Sequence, residues 1–265
     1  MLDAAVKRIP RFLMDIAPIQ RLIGVPGRLR LVGQADMAVH PGVARAVPEL
    51  GTAHWSELAH AAVRSQEETL TLLRAWRDQG RNWPDIYLHG IGPTARLMGT
   101  WWEADRMDFT SVSVGVARLQ TAMYELSPEF LADARPVAGT PKRLLLVNPT
   151  SQHTLGSLMA AEFFRRAGWW VQVAYAQEER EWLAVLNSDW FDVLGVGISA
   201  EQLLPALHRT LTEARRASAN PAIKIMLGGP LVQDRPELVH VLRADFSTHA
   251  ADEAVRLAEQ WVVAG

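Results

Sequence analysis

Apolar positions along this chain change period near its middle. Over residues 55–126 they recur at helical spacing. Leu58, Val63, Leu70, Leu73 and Trp76 form one stripe, which Gly80 can end. A second helix is predicted over 84–102, carrying Ile86, Leu88, Ile91, Ala95 and Met98. A third starts at Asp108 as N-cap and carries Val112, Val116, Leu119, Met123 and Leu126. Three or four such helices with short connections make an antiparallel bundle. Further on, short apolar runs alternate with helical stretches. Strands are predicted over 144–147, 170–174, 193–196 and 223–227, with a short one near 244–246. Helices fall between them over 155–167, 179–187 and 201–217, and a last one over 252–263. Strand–helix alternation of this kind implies a parallel sheet with helices on both faces, so the expected class is α + α/β.

The run from Ser127 to Pro141 interrupts the rhythm with Pro128, Pro136, Gly139 and Pro141. At the start, Lys7, Arg8, Arg11, Arg21, Arg28 and Arg30 face only Asp3 and Asp15, and Pro10, Pro18 and Pro26 break any long helix. The expected organisation is a basic irregular arm over 1–50, a helical cap over 51–127, a linker over 128–141 and an α/β domain over 142–265.

Composition narrows the function classes. A net charge of -2 gives no global electrostatic case for nucleic acid or an anionic membrane, and no basic stripe or helix-turn-helix is visible. With Cys 0 there is no thiolate metal site, disulfide framework or cysteine nucleophile. No apolar stretch is long enough for a membrane span or a secretory leader, so a cytoplasmic protein is expected. Ten Trp suit several aromatic cores, or an apolar pocket for a large planar ligand.

Ligands of an open parallel sheet bind beyond the carboxyl ends of its strands. The first strand is followed by Pro149-Thr150-Ser151-Gln152-His153-Thr154-Leu155-Gly156, the third by Gly197 and Ser199, the fourth by Gly228, Gly229 and Pro230, and the fifth by Ser247, Thr248 and His249. Small and polar residues thus gather along one edge, with one prominent histidine, where a bulky ligand can approach backbone closely. Gly195-Val196-Gly197-Ile198-Ser199-Ala200 matches a dinucleotide fingerprint. It follows the third strand, however, and Glu213 lies within a helix rather than after a strand, which argues against that cofactor.

His153-x-x-Gly156, Ser199 after 42 intervening residues, and then Gly228-Gly229 resemble the signature of the cobalamin-binding domain family. The resemblance covers roughly residues 142–262 and implies a Rossmann-like (flavodoxin-like) parallel sheet. It implies that His153 is the lower axial ligand of cobalt, with Thr154 and Leu155 beside it. Ser199 would hydrogen-bond the buried base of the nucleotide tail, and Gly156, Gly228 and Gly229 would leave that tail room. Ser247 would line the same edge. A neutral imidazole suits cobalt, and glycine removes the Cβ atoms that obstruct a wide ligand.

Two positions depart from the family. Ser151 stands where an Asp precedes the histidine, and Glu201 where a Leu follows the serine. A carboxylate behind a ligating histidine raises its basicity, so Ser151 implies a softer imidazole–cobalt bond. Heme, or no metal, remains an alternative.

The stretch from Tyr87 to Gly99-Thr100-Trp101-Trp102 resembles the second helix and tryptophan turn of the cap that precedes many cobalamin domains, placing Trp101 and Trp102 above the corrin. The Glu-His pair that follows in those caps reads Val112-Ser113 here. His89 is then the candidate upper ligand. Gln152-His153-Thr154-Leu155-Gly156 and Phe163-Phe164-Arg165-Arg166-Ala167-Gly168-Trp169 resemble the AerR/PpaA-type antirepressors of photosynthesis genes. The resemblance implies a non-enzymatic light- or redox-responsive transcription regulator binding adenosyl- or hydroxocobalamin. Such a photoreceptor acts through a transcriptional repressor protein, without touching nucleic acid or membrane. A corrinoid methyl carrier for methyltransferases, or a heme sensor of the same fold, is the alternative.

Overall fold

The computed structural model describes residues 49–132, 134, 139–149, 154–174 and 179–263. The basic arm expected over 1–50 lies almost wholly outside the described residues. Residues 49–263 belong to one compact unit.

The first predicted helix is two, α1 (Thr52–Arg64) and α2 (Gln66–Asp78). Ser65 divides them: its backbone is extended, and its hydroxyl accepts the Glu68 N–H as the N-cap of α2. The second predicted helix begins as the short α3 (Trp83–Asp85), becomes π-helical over Ile86–Ile91, and returns to α geometry in α4 (Gly92–Glu103). Pro93 explains the irregularity. It has no N–H to give the His89 carbonyl one turn back, and Trp55 Nε1 donates to that oxygen instead at 2.7 Å. The third helix, α5 (Phe109–Ala132), starts where Asp108 accepts the Ser111 N–H at 2.9 Å. It runs past the expected end at Leu126 and through Pro128. Pro128 and Tyr124 both sit on the exposed face, where water can take up the freed carbonyl.

The sheet contains β1 (Arg143–Val147), β2 (Trp170–Ala174), β3 (Val193–Gly197), β4 (Lys224–Gly228) and β5 (Phe246–Ser247), all parallel in the order β2-β1-β3-β4-β5. Helices α6 (Leu155–Arg166), α7 (Glu179–Ser188), α8 (Leu204–Ala217) and α11 (Ala251–Val263) follow β1, β2, β3 and β5. Two short helices that the pattern did not signal, α9 (Pro230–Asp234) and α10 (Leu238–Val241), join β4 to β5. Residues 201–203 form a 3-10 turn ahead of α8, because Pro205 can sit only in the first turn of that helix.

Alternate residues of the strands divide between two cores. Leu145, Leu194, Val196 and Ile225 pack toward α7 and α8, and Leu144, Leu146, Val193 and Met226 toward α6 and α11. Helix α6 also faces outward. Leu158, Met159 and Phe163 join the helical core of Leu58, Tyr87, Met98, Leu119 and Phe130, and Ala251 and Val255 of α11 pack against the same core. We propose the division into a cap over 51–127, a linker over 128–141 and an α/β domain over 142–265.

Candidate functional site

The strand order reverses at β1, which has β2 on one side and β3 on the other. The carboxyl ends of β1 and β3 therefore flank the crevice at which ligands of such sheets bind. Asn148, just after β1, is 3% exposed. A Cβ placed on Gly197 would lie 3.3 Å from Ser157 Oγ and 3.8 Å from Asn148 Oδ1, so polar atoms line the crevice floor. His153 and Ser151 lie outside the described residues.

Thr154 stands at the start of α6, as its N-cap. Its hydroxyl accepts a hydrogen bond from Gln120 Nε2 of α5 at 2.6 Å. Further along the same two helices, Ser127 Oγ donates to Glu162 Oε2 at 2.5 Å. Glu162 is 3% exposed and also receives Arg165 Nη1 at 2.7 Å. Arg166 donates to the Phe130 carbonyl. These polar contacts fix α5 against α6, and with it the cap against the helix that carries Thr154, Leu155 and Gly156.

The three glycines that carry the resemblance differ in their surroundings. Among the described residues, a Cβ on Gly156 meets nothing within 4 Å, and one on Gly228 only Thr248 at 3.7 Å, so neither glycine is required by packing against them. Gly229 has φ +100 and a virtual Cβ 2.5 Å from the Ile198 carbonyl oxygen. It is a backbone requirement: Ile198 N–H donates to Gly228 O at 2.8 Å and Leu231 N–H to Ile198 O at 3.2 Å, which ties the ends of β3 and β4 together. Glu201, the departure beside Ser199, accepts Arg235 Nη1 at 2.8 Å, and Arg235 Nε also binds Glu237 at 2.8 Å. The ion pair joins the segments that follow β3 and β4, and the hydrogen bonds from Arg235 lower the Glu237 pKa.

Ser199 and Ser247 are half-buried at the same edge; Ser247 pairs with Leu227, and the buried Thr248 turns its hydroxyl onto the Ala250 carbonyl at 2.7 Å. A cavity of about 350 Å³ opens between this edge and the cap, lined by Arg96 of α4, Gln233 of α9 and His249. Gln233 Nε2 donates to the His249 carbonyl at 3.0 Å, and the His249 N–H to Glu253 at 2.9 Å, so the backbone there is held from both sides. The sequence places His249 after β5 but gives no reason to single out Arg96 or Gln233, since neither lies in a motif.

The residues expected in the cap are not gathered at that cavity. His89 lines a separate one of about 470 Å³ with Trp55, Arg81 and Pro93. Trp101 is buried in the bundle, its ring 5.2 Å from His60 and under the Arg106 guanidinium at 5.3 Å. Trp102 is exposed beside Phe109. Among the described residues, no helix is long and apolar enough to cross a membrane, and no three His, Cys, Asp or Glu side chains group as a bare-ion site.

Residues 142–258 match the B12 binding domain family. A curated relative, an uncharacterized 20.5 kDa protein in the bchF-crtJ intergenic region of Rhodobacter capsulatus, is 28% identical over 168 residues, covering 62% of this chain and 85% of that protein. Among solved structures, the monomethylamine corrinoid protein of Methanosarcina barkeri superposes with a TM-score of 0.64 at 17% identity, over 78% of this chain and 98% of that one. At that identity the likeness is one of fold: a helical part followed by the five-stranded parallel sheet.

Proposed function

We propose that this chain, whose residues 142–258 match the B12 binding domain family, holds a cobalamin over the carboxyl edge of the sheet and serves as a signal-responsive regulator rather than an enzyme. The observation that carries the reading is the space at that edge. Among the described residues nothing lies within 4 Å of a Cβ on Gly156, and a shallow depression lined by Arg96, Gln233 and His249 lies beside the edge. A bound corrinoid would supply a cobalt centre whose axial ligands respond to light or redox state. His153 would hold the metal from the loop after β1, Thr154 and Leu155 would set that loop, and Ser199 would meet the buried end of the nucleotide tail. Gly156 and Gly228 would leave the tail room, with Ser247 at the rim. Gln120 would fix the loop relative to the cap.

A regulator needs a contact that differs between its two states. The seam from Gln120–Thr154 to Ser127–Glu162 is a route by which a change at the loop after β1 would reach α5. The absent Asp before His153 and the resemblance to AerR/PpaA-type antirepressors favour a repressor protein as the partner, and the naming of the Rhodobacter relative by the bchF-crtJ region is in keeping with this. Trp101 and Trp102 belong to the cap, and His89 stands in its own cavity. An upper ligand from His89 would therefore require the cap to rearrange.

The test is reconstitution of the full chain with hydroxo-, methyl- and adenosylcobalamin and with heme, read by visible spectrum in the dark and after illumination. The regulator reading expects a corrinoid spectrum that changes with light and differs in His153→Ala. Retention of heme alone, or of methylcobalamin that is light-insensitive and demethylated by a methyltransferase, would contradict it.

A further inference from the structure

The amino-terminal edge of the sheet lies at the opposite end from the ligand crevice, and aromatic and cationic side chains meet along it. Arg143, at the start of β1, lays its guanidinium 4.2 Å from the ring centroid of Trp170, at the start of β2. Trp190 precedes β3. The Lys224 ammonium at the start of β4 stands 5.7 Å over Trp261 of α11. The Lys142 ammonium, just before β1, stands 5.4 Å over the ring of the buried Trp169, the residue next to the exposed Trp170. Trp170, Trp190 and Trp261 remain 44%, 49% and 38% exposed, although core burial is the usual fate of tryptophan in a sheet layer.

The charges at this edge are unevenly matched. Asp192 is committed to the chain itself, accepting the Arg143 N–H at 2.7 Å and Trp190 Nε1 at 3.2 Å. Asp189 faces Arg143 at 3.7 Å. Among the described residues, Lys142 and Lys224 have no carboxylate partner, and each is held against an indole face. Two ammonium groups without counter-ions, set among exposed tryptophans, give the edge the composition of a protein-binding hot spot with a positive rim.

We propose that this edge docks an acidic segment of a partner protein, with leucine or other apolar side chains between its carboxylates. The carboxylates pair with Lys142 and Lys224, and the apolar side chains cover Trp170, Trp190 and Trp261. A second copy of the chain would set the same cations face to face, the basic arm would add to the positive charge, and a nucleic acid strand would meet Asp189 and Asp192. Docking at this edge does not require corrinoid, so its failure is separate from failure of the cofactor reading.

The full chain is titrated, by intrinsic tryptophan fluorescence, with a synthetic glutamate–leucine peptide, with its lysine–leucine counterpart and with a single-stranded oligonucleotide. The glutamate peptide is expected to bind and shift the emission, and to lose roughly tenfold or more in affinity to the Lys142→Glu/Lys224→Glu variant. That variant should gain the lysine peptide. The Lys142→Gln/Lys224→Gln variant, which disturbs packing less, should bind the glutamate peptide with intermediate affinity. No response to the glutamate peptide, unchanged affinity in both variants, or tighter binding of the oligonucleotide would overturn the proposal.

Discussion

Gln120 of the cap donates its side-chain amide to the hydroxyl of Thr154 at 2.6 Å, one residue beyond His153 in sequence. The helical cap and the loop after β1 are therefore joined by a side-chain hydrogen bond at the point where the family signature lies. In Gln120→Ala the loop loses that anchor. A hydrogen bond of this kind contributes about 0.5–1.5 kcal/mol, so hydroxocobalamin affinity should fall roughly two- to tenfold with little change in Tm. Equilibrium titration followed by absorbance checks this, and an unchanged affinity would show that Gln120 does not position the loop.

The two glycines Gly229 and Gly156 should separate by phenotype. Gly229→Ala forces a side chain onto the Ile198 backbone at φ +100, and the expected loss of stability is about 2–4 kcal/mol by urea denaturation. Among the described residues a Cβ on Gly156 meets nothing, so a larger residue there should leave the urea midpoint nearly unchanged while reducing cobalamin retention. Equal effects on stability would contradict the division.

This division was half legible in the sequence. Gly228-Gly229 stands out by its place after a predicted strand, and its spacing from His153 carries the family resemblance. That Gly229 serves the backbone while Gly156 leaves space depends on what stands opposite, which for Gly229 is Ile198, just beyond the end of β3. The first four strands were legible because each is a short apolar run bounded by turn residues; the fifth, expected over 244–246, is the two-residue Phe246–Ser247. The π-helix was not, since Pro93 changes the ladder only in combination with Trp55, a residue distant in sequence that accommodates the orphaned carbonyl. The end of α5 was misjudged because Pro128 reads as a break unless its face of the helix is known. Arg96 and Gln233 were missed for a similar reason: they come together through the cap's placement, which no local pattern encodes.

Ser127→Ala should test the seam itself. Removing the hydroxyl leaves one oxygen of the buried Glu162 with a lost donor, at a cost of about 1.5–3 kcal/mol. The loss should appear in chemical denaturation and should be smaller in a Ser127→Ala/Glu162→Gln pair than the sum of the single changes. Additive effects would mean that the two residues act independently.

Trp55→Phe keeps an aromatic ring and removes only the donor to His89 O. The expected cost is about 1 kcal/mol, with amide exchange accelerated over Ile86–Ile91. Unchanged protection there would mean that the π-helix holds without Trp55.

Corrinoid retention tests the account most directly. The full chain is mixed with excess hydroxocobalamin, passed through gel filtration, and its visible spectrum is recorded beside that of His153→Ala. The account predicts that the wild-type chain emerges with one corrinoid and that His153→Ala shifts the spectrum toward a water-ligated cobalt. A wild-type chain that emerges colourless would contradict it.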